Sequence, residues 1–232
     1  MKNIESSICF NVLHIESGLN GKRDALAESL NSYLSSRWVN LHSPAVTVES
    51  LADFECMHQV HFKTEGFTHA GEFGWKMGEL GLWFSSIKMW KKFCQSSFEY
   101  LIVCEDDMEA SNFCIEFLEG ILQKQRKFDV LSLFVPENEH GRWNRRFYER
   151  KKGGVTRIYQ DWSTGAYAIT KKGAERVLNS LNPEINQPLD WHLWREPTLN
   201  CLSLKPTSPA PFKLIDLPST FQSQLRIPLI RS

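Results

Sequence analysis

The sequence predicts an α/β fold in which helices cover both faces of a mainly parallel β-sheet. Segments with strand and helix patterns alternate along the chain, as is typical of this architecture. Residues 100–104, Tyr-Leu-Ile-Val-Cys, form a continuous apolar run, which is expected of a strand covered on both faces. Between Gly74 and Cys94, large apolar residues recur at helical spacing and predict one long amphipathic helix. These residues are Leu80, Trp83, Phe84, Ile87 and Trp90.

The same patterns predict the other elements in order. We expect further strands at residues 7–15, 45–50, 128–135, 165–170 and 212–217, and further helices at 23–38, 112–126 and 171–181. We expect one domain over residues 1–232. Prolines recur between Pro197 and Pro228, and they predict an extended C-terminal segment from about residue 197 with few elements of its own.

Composition excludes several classes of protein. The 232 residues carry 27 basic and 27 acidic side chains, so the formal charge is zero and a surface wholly devoted to a polyanion is excluded. The longest apolar run, Tyr100 to Cys104, is far shorter than the ~20 residues that cross a bilayer. Polar residues interrupt the N-terminal apolar stretch, so we predict a cytoplasmic chain without a signal peptide or transmembrane segment. The six cysteines show no C-x-x-C pair, which argues against structural zinc.

Three adjacent carboxylates, Glu105, Asp106 and Asp107, follow the most apolar strand. Ligands of open α/β sheets bind beyond the carboxyl ends of the strands. Strand alternation places Glu105 and Asp107 on one side and Asp106 on the other. Such a cluster needs a compensating cation, and its hard oxygens suit Mn²⁺ or Mg²⁺ together with substrate phosphates. In the alternative interpretation, the acids begin a helix from Met108 to Leu118 and favour its dipole.

Four segments in a fixed order resemble the family 25 glycosyltransferases, which include lipooligosaccharide and collagen galactosyltransferases. They are GEFGWKMGELGLWFSSIKMWKKF at 71–93, LIVCEDDMEAS at 101–111, WSTGAYAITKKGAERVLNSL at 162–181 and PLDWHLW at 188–194. Each motif alone is weak, and the order and spacing carry the resemblance. The resemblance implies a GT-A fold, a nucleotide-sugar donor (usually a UDP-sugar), Mn²⁺ or Mg²⁺, and sugar transfer to a hydroxyl with inversion.

The resemblance also implies roles for individual residues. Glu105 and Asp107 correspond to the metal-binding acids, and the donor-binding candidates are Asn11, Arg23, Glu72, Asp106 and Gly165. Other roles stay open, since a Glu at a helix start is common and a glycine can simply make a turn. The family's first motif usually opens with G-E-x-G-C and continues with Ser-His. Here Gly71, Glu72 and Gly74 are present, but Gly78 and Glu79 occupy the later region.

An inverting transfer needs a base that removes the acceptor's proton. The candidate for this general base is Asp190, because Trp191 and Trp194 flank it. Both tryptophans offer aromatic faces on which a sugar or a nucleotide base could stack. Alternatively, Asp190 caps a short helix that contains both tryptophans. Asp161 is the second candidate base, and its alternative role is that of a turn residue bonded to its own backbone.

Residues 142–152, RWNRRFYERKK, carry Arg or Lys at six of eleven positions, with aromatic residues between them. The acceptor-binding candidates here are Arg142, Trp143, Arg145 and Arg146. Such a segment can hold an anionic glycan, cover the donor's diphosphate, or bind a nucleic acid that carries a hydroxylated base. It can also be a solvated charged loop. The alternative functions are a glycosyltransferase acting on a hydroxylated base in DNA, a non-catalytic glycan-binding or sugar-nucleotide-binding module, and a metal-dependent phosphohydrolase. The oligomeric state stays open.

Overall fold

A seven-stranded sheet forms the centre of the fold in the computed structural model, which describes residues 4–14, 21–46, 51–63, 75–124, 127–134, 155–157, 163–181, 184–204, 209–215 and 226–227. The strands are β1 (Ile8–Leu13), β2 (Val39–Asn40), β3 (Trp75–Lys76), β4 (Tyr100–Glu105), β5 (Met108–Ala110), β6 (Val130–Ser132), β7 (Val155–Arg157), β8 (Ala166–Thr170), β9 (Cys201–Leu204), β10 (Phe212–Leu214) and β11 (Arg226–Ile227). The helices are α1 (Gly21–Ser35), α2 (Leu51–His58), α3 (Met77–Gln95), α4 (Cys114–Lys124), α5 (Lys171–Ser180) and α6 (Leu189–Arg195), with a 3-10 turn at Glu5–Ser7.

The strand order of the large sheet is β2-β1-β4-β8-β6-β9-β7. Five of these strands run in the same direction, whereas β8 and β7 are antiparallel to their neighbours. The prediction of a mainly parallel sheet in an α/β fold is confirmed, and the architecture is GT-A-like. Because β8 lies between β4 and β6 and runs against both, its first residues meet their carboxyl ends. This reversal determines where the site forms.

Helices cover both faces of the sheet. Along β4, Leu101 and Val103 pack into the core under α3, α5 and α6, while Ile102 and Cys104 face the core under α1 and α4. All four side chains are fully buried. The continuous apolar run of β4 is thus explained by burial on alternate faces. In the described part of the chain, no helix is long and apolar enough to cross a membrane.

Most predicted elements are present, although several bounds differ. The long helix predicted from Gly74 to Cys94 is α3, and its predicted apolar residues are all buried. The prediction of a strand at 45–50 is not confirmed, because the second strand of the sheet is Val39–Asn40 and residues 45–46 are irregular. Residues 47–50 lie outside the described ranges. The short stretch at 39–40 carries no alternation that would reveal it as a strand.

The C-terminal part contributes more structure than its prolines predict. Cys201–Leu204 is β9, which pairs with both β6 and β7 inside the large sheet. The strand predicted at 212–217 is shorter, and as β10 it pairs antiparallel with β5 outside that sheet. Whether residues 1–232 form one domain stays a prediction.

The helix interpretation of the acidic cluster is wrong. Glu105 ends β4, Asp106 and Asp107 form a turn, and the next residues begin β5. The following helix, α4, begins only at Cys114. The acids therefore neither cap this helix nor lie in its first turn.

Asp129 fastens α5 to the sheet. Its buried carboxylate accepts hydrogen bonds from Arg176 Nη1 at 2.5 Å and from the Asn200 backbone N–H at 2.8 Å. Gly173 in the first turn of α5 lies directly against the Asp129 backbone, where an added Cβ would come within 2.3 Å of the carbonyl oxygen. This close approach requires glycine.

Candidate active site

The candidate site lies where β1 and β4 end and β8 begins. Leu13 and Glu105 are register partners in the parallel pair β1–β4, so His14 and Asp106 follow them at the same edge. The Glu105 backbone N–H donates to the Gly165 carbonyl at 2.8 Å. The carboxyl ends of two strands and the start of a third therefore converge, as the sequence predicted for ligand binding at this edge.

Arg23 in the first turn of α1 bridges two of the three acids. Its Nη1 pairs with Asp106 Oδ1, and its Nη2 donates to Asp107 Oδ2 at 3.1 Å. The prediction that Asp106 and Asp107 point to opposite sides is wrong, because both contact one guanidinium. The physical reason is that these two residues form a turn, where strand alternation no longer applies.

His14 provides a second contact to Asp106. Its Nδ1 lies 2.9 Å from Asp106 Oδ2, and its Nε2 lies 2.9 Å from Asp24 Oδ1. Both oxygens of Asp106 are consequently engaged, one by Arg23 and one by His14. Asp106 is thereby fixed as the anchor of the cluster to β1 and α1.

Glu105 lies in a different environment. Its Oε1 accepts a hydrogen bond from the Thr164 hydroxyl at 2.8 Å. Burial, followed by the negative charge of Asp107, raises the pKa of Glu105 to about 7, and the charge of Asp190 contributes to the increase. Burial also raises the pKa of Asp107, although the Arg23 guanidinium opposes that increase. Burial and mutual repulsion therefore disfavour the charged forms of Glu105 and Asp107, and a nearby cation would favour them.

The oxygen ligands fit a divalent cation in part. Among the described residues, no group of three or more His, Cys, Asp or Glu side chains is arranged to hold a metal ion. However, Mg²⁺ and similar ions bound with nucleotides commonly use one or two carboxylates and complete their shell with phosphates and water. Asp107 Oδ1 is buried without a hydrogen-bond partner, beside Glu105. These two carboxylates match that requirement.

Asp190 reaches the same region from α6. It is 6% exposed, and its Oδ1 accepts a hydrogen bond from the Trp191 backbone N–H at 2.8 Å. Its negative charge is among the causes that raise the pKa of Glu105. Trp194 holds α6 in place, because its indole N–H donates to the Ser163 carbonyl at 3.2 Å, just before Thr164.

The two tryptophans of α6 differ in accessibility. Trp194 is 3% exposed, and its ring belongs to the core under α3 and α5. Trp191 is partly exposed, and the Arg195 guanidinium lies 3.9 Å from its ring centroid. Their predicted contact with an acceptor remains a prediction, and only Trp191 has surface to offer in this arrangement.

A cavity of about 510 Å³ opens beside His14, at the end of β1. Polar side chains dominate its lining: Asn11, His14, Asn31, Asn40, His42 and Ser43. Asn11 clamps the Ser43 backbone, since its Nδ2 donates to the Ser43 carbonyl at 3.0 Å and its Oδ1 accepts from the Ser43 N–H at 2.8 Å. Asn11 therefore shapes the wall of this cavity.

Comparison with known proteins identifies the fold's family. The family model described as glycosyltransferase family 25 (LPS biosynthesis protein) matches residues 75–192, which is more than half of the chain. The chain belongs to glycosyltransferase family 25. It is therefore an enzyme that transfers a sugar. No curated protein matches it.

The matched part of this family 25 glycosyltransferase contains most of the residues brought together at the site. Glu105, Asp106, Asp107, Gly165 and Asp190 lie within it, while Asn11 and Arg23 approach the same edge from outside it. The other predicted residues lie outside the described ranges: Glu72, Asp161, Arg142, Trp143, Arg145 and Arg146. Gly165 contacts the interior, where an added Cβ would come within 3.0 Å of Met108 Sδ.

Two residues at the site of this glycosyltransferase, His14 and Thr164, are not among those that the sequence predicts. His14 directly follows β1, so the same rule that selected Glu105 at the end of β4 would have selected it. Thr164 immediately precedes Gly165, but only the antiparallel direction of β8 brings it to Glu105. The apolar pattern of a strand does not indicate whether the strand runs parallel or antiparallel to its neighbours.

Proposed function

We propose that this family 25 glycosyltransferase uses a divalent cation, Mn²⁺ or Mg²⁺, to transfer a sugar from a UDP-sugar to a hydroxyl of a glycan acceptor with inversion. One observation carries the proposal. Glu105 ends β4, Asp107 follows in the adjoining turn with its Oδ1 buried and without a hydrogen-bond partner, and the charge of the buried Asp190 contributes to the raised pKa of Glu105. This arrangement combines a place for a cation with a place for a base.

Glu105 and Asp107 would hold the cation. Asp106 is excluded from this role because Arg23 and His14 occupy both of its oxygens. When bound, the cation would neutralise charge on the departing diphosphate. The Thr164 hydroxyl contributes by orienting Glu105.

The cavity beside His14 supports a nucleotide donor. Its wall is rich in amide and imidazole groups, which match the hydrogen-bonding edge of a pyrimidine base and the hydroxyls of a ribose. The Ser43 backbone is fixed by Asn11, so the wall is pre-formed. The cavity adjoins His14, which contacts Asp106, so a nucleoside bound there would have its diphosphate near the acidic cluster.

Asp190 is the proposed general base. In an inverting transfer, the acceptor oxygen attacks the anomeric carbon while its proton passes to the base, and the bond from that carbon to the diphosphate breaks. Burial keeps Asp190 away from bulk water, and its charge contributes to the raised pKa of Glu105. The description of the family model, LPS biosynthesis, supports a glycan as the acceptor.

A donor screen tests this proposal. Release of UDP from several UDP-sugars is followed with Mn²⁺, with Mg²⁺ and in excess EDTA, first without an acceptor. We expect slow hydrolysis of one preferred donor with metal, and none in EDTA. Full activity in EDTA contradicts metal dependence.

Two variants locate the metal-dependent step. Asp107→Asn removes a proposed ligand and should abolish turnover while the fold is kept. Glu109→Gln is the matched control, because Glu109 lies two residues further on, is exposed, and faces solvent on β5. Equal losses in both variants would contradict the assignment of Asp107.

A further inference from the structure

The Arg23 guanidinium contacts Asp107, a carboxylate that a divalent cation at the acidic cluster would also contact. The guanidinium spans Asp106 and Asp107, which are more than eighty residues away along the chain. The Arg23 and Asp107 side chains are only 14% and 17% exposed, so solvent screens this pair weakly. Among the described residues, the Arg23 guanidinium is therefore the main positive charge acting on Asp107. It opposes the increase that burial and the neighbouring carboxylate of Asp106 cause in the pKa of Asp107.

The pairing of Arg23 with Asp107 is incomplete on both sides. Asp107 uses Oδ2 for the guanidinium, while its Oδ1 is buried without a hydrogen-bond partner. Arg23 Nε is likewise buried without a partner. By contrast, Asp106 is held through both oxygens. Asp107 is thus the member of the cluster whose contact with Arg23 is easiest to give up.

We propose that Arg23 is the counter-ion of the acidic cluster in the metal-free enzyme, and that it competes with the divalent cation for Asp107. This inference rests on the proposed function, because it takes Glu105 and Asp107 as the metal-binding pair. Two cations that share one carboxylate repel each other, so binding of the ion weakens the contact between Arg23 and Asp107. Asp106, which the ion does not use, retains the guanidinium.

Competition gives Arg23 a role in the order of binding. Once the Arg23 Nη2 group is released from Asp107, it can donate to an anion. The diphosphate of the proposed donor is such an anion. Metal binding and donor binding are then coupled through one side chain. In the absence of metal, Arg23 stays paired with Asp106 and Asp107, so its Nη2 group is not available to the donor's diphosphate.

Direct measurement of Mn²⁺ binding without nucleotide tests the inference. The free Mn²⁺ concentration is followed by electron paramagnetic resonance during titration of wild type, Arg23→Gln, Arg23→Lys, Asp107→Asn and Arg37→Gln. Arg37 is the matched control, since it pairs with Glu5 and Glu119 away from the cluster. We expect Arg23→Gln to lower the Kd for Mn²⁺ by about tenfold, within the usual range of coupling between sites. Arg37→Gln should equal wild type.

The outcomes distinguish this inference from the proposed function. If wild type binds Mn²⁺, Asp107→Asn does not, and Arg23→Gln binds no more tightly than wild type, competition is refuted while the metal site stands. Weaker binding by Arg23→Gln also refutes competition, because it means that Arg23 positions Asp107 for the metal. If wild type and Arg23→Gln both fail to bind Mn²⁺, with or without UDP, the metal site itself is refuted and competition with it.

A second variant and a second measurement guard against misfolding. Arg23→Lys keeps the charge but cannot reach both carboxylates as a planar fork, so its Kd should lie between those of wild type and Arg23→Gln. In thermal unfolding, Mn²⁺ should raise the Tm of Arg23→Gln more than that of wild type, because ligand stabilisation grows as Kd falls. Equal Tm shifts in the two proteins would contradict the competition.

Discussion

The Thr164 hydroxyl donates a hydrogen bond to Glu105 Oε1 at 2.8 Å, across the antiparallel junction of β4 and β8. This bond opposes the effect of burial on the carboxyl, since hydrogen bonding to the charged form lowers a pKa. Thr164 is itself buried, so the donor is held in place. Glu105, which ends β4, is thus oriented by Thr164, which lies just before β8.

The raised pKa of Glu105 predicts how stability depends on pH without metal. The folded value of about 7 exceeds the ordinary value of 4.5, so the folded state binds this proton more tightly than the unfolded state does. The free energy of unfolding should therefore fall as pH rises from about 4.5 to 7, by up to about 3 kcal/mol from this group. Glu105→Gln should lose this decrease, as measured by urea unfolding in EDTA at pH 5 and pH 8.

Thr164→Val provides the comparison for that experiment. Without the hydroxyl the pKa of Glu105 rises further, so the decrease in stability should extend to higher pH than in wild type. Identical pH curves for wild type and Glu105→Gln would show that Glu105 titrates normally.

Asp190→Asn tests the general base. The asparagine oxygen can still accept the Trp191 N–H, so the free energy of unfolding should change by less than about 1 kcal/mol. Because the amide cannot take the proton, kcat should fall by about 10²–10⁴-fold, with donor binding retained. Glu196→Gln, just after the same helix, is the control for a carboxylate removed without chemical consequence. A stable and nearly fully active Asp190→Asn would transfer the role to Asp161.

Gly173→Ala tests the packing of α5 on the sheet. The new Cβ would come within 2.3 Å of the Asp129 carbonyl, which is backbone, so the helix has to move and stability should fall by about 1–3 kcal/mol. Gly120→Ala in α4 is the matched control, because nothing lies within 4 Å of its added Cβ. It should gain about 0.5–1 kcal/mol from helix propensity. Urea unfolding of both variants measures the difference, and a loss of stability in both would contradict the steric explanation.

Neutralising the basic segment at 142–152, which lies outside the described residues, tests its predicted role. Replacement of Arg142, Arg145, Arg146, Lys151 and Lys152 by glutamine should raise the acceptor KM and weaken its salt dependence, because screened charge attraction is lost. Donor hydrolysis without acceptor should be unchanged. Equal losses of hydrolysis and transfer would indicate instead that the segment covers the diphosphate.

The sequence predicted those parts of the molecule that depend on local pattern. The apolar run before Glu105 located the central strand and its acidic end, because burial on both faces leaves few polar residues. The buried face of α3 was equally visible, since Leu80, Trp83 and Ile87 recur at helical spacing. The resemblance then located Asp190, whose effect on the pKa of Glu105 no local sequence pattern shows.

What the sequence did not predict depends on pairing over distance. Arg23 meets Asp107, and Thr164 meets Glu105, only after the sheet has formed and β8 has taken its reversed direction. The four residues of β9 were missed for a related reason. Their alternation is too short to stand out among nearby prolines, and only pairing with β6 stabilises them as a strand.

The reversed direction of β8 has a consequence for how this enzyme can diversify. Leu133, just after β6, donates its N–H to the Ala166 carbonyl at the start of β8, so the points where the chain leaves β6 and enters β8 are bonded to each other. Doubling the length of a flexible loop between two such points costs only about 0.6 kcal/mol of closure entropy. New recognition segments can therefore be grafted there while the register of Ser132 with Tyr167 stays intact.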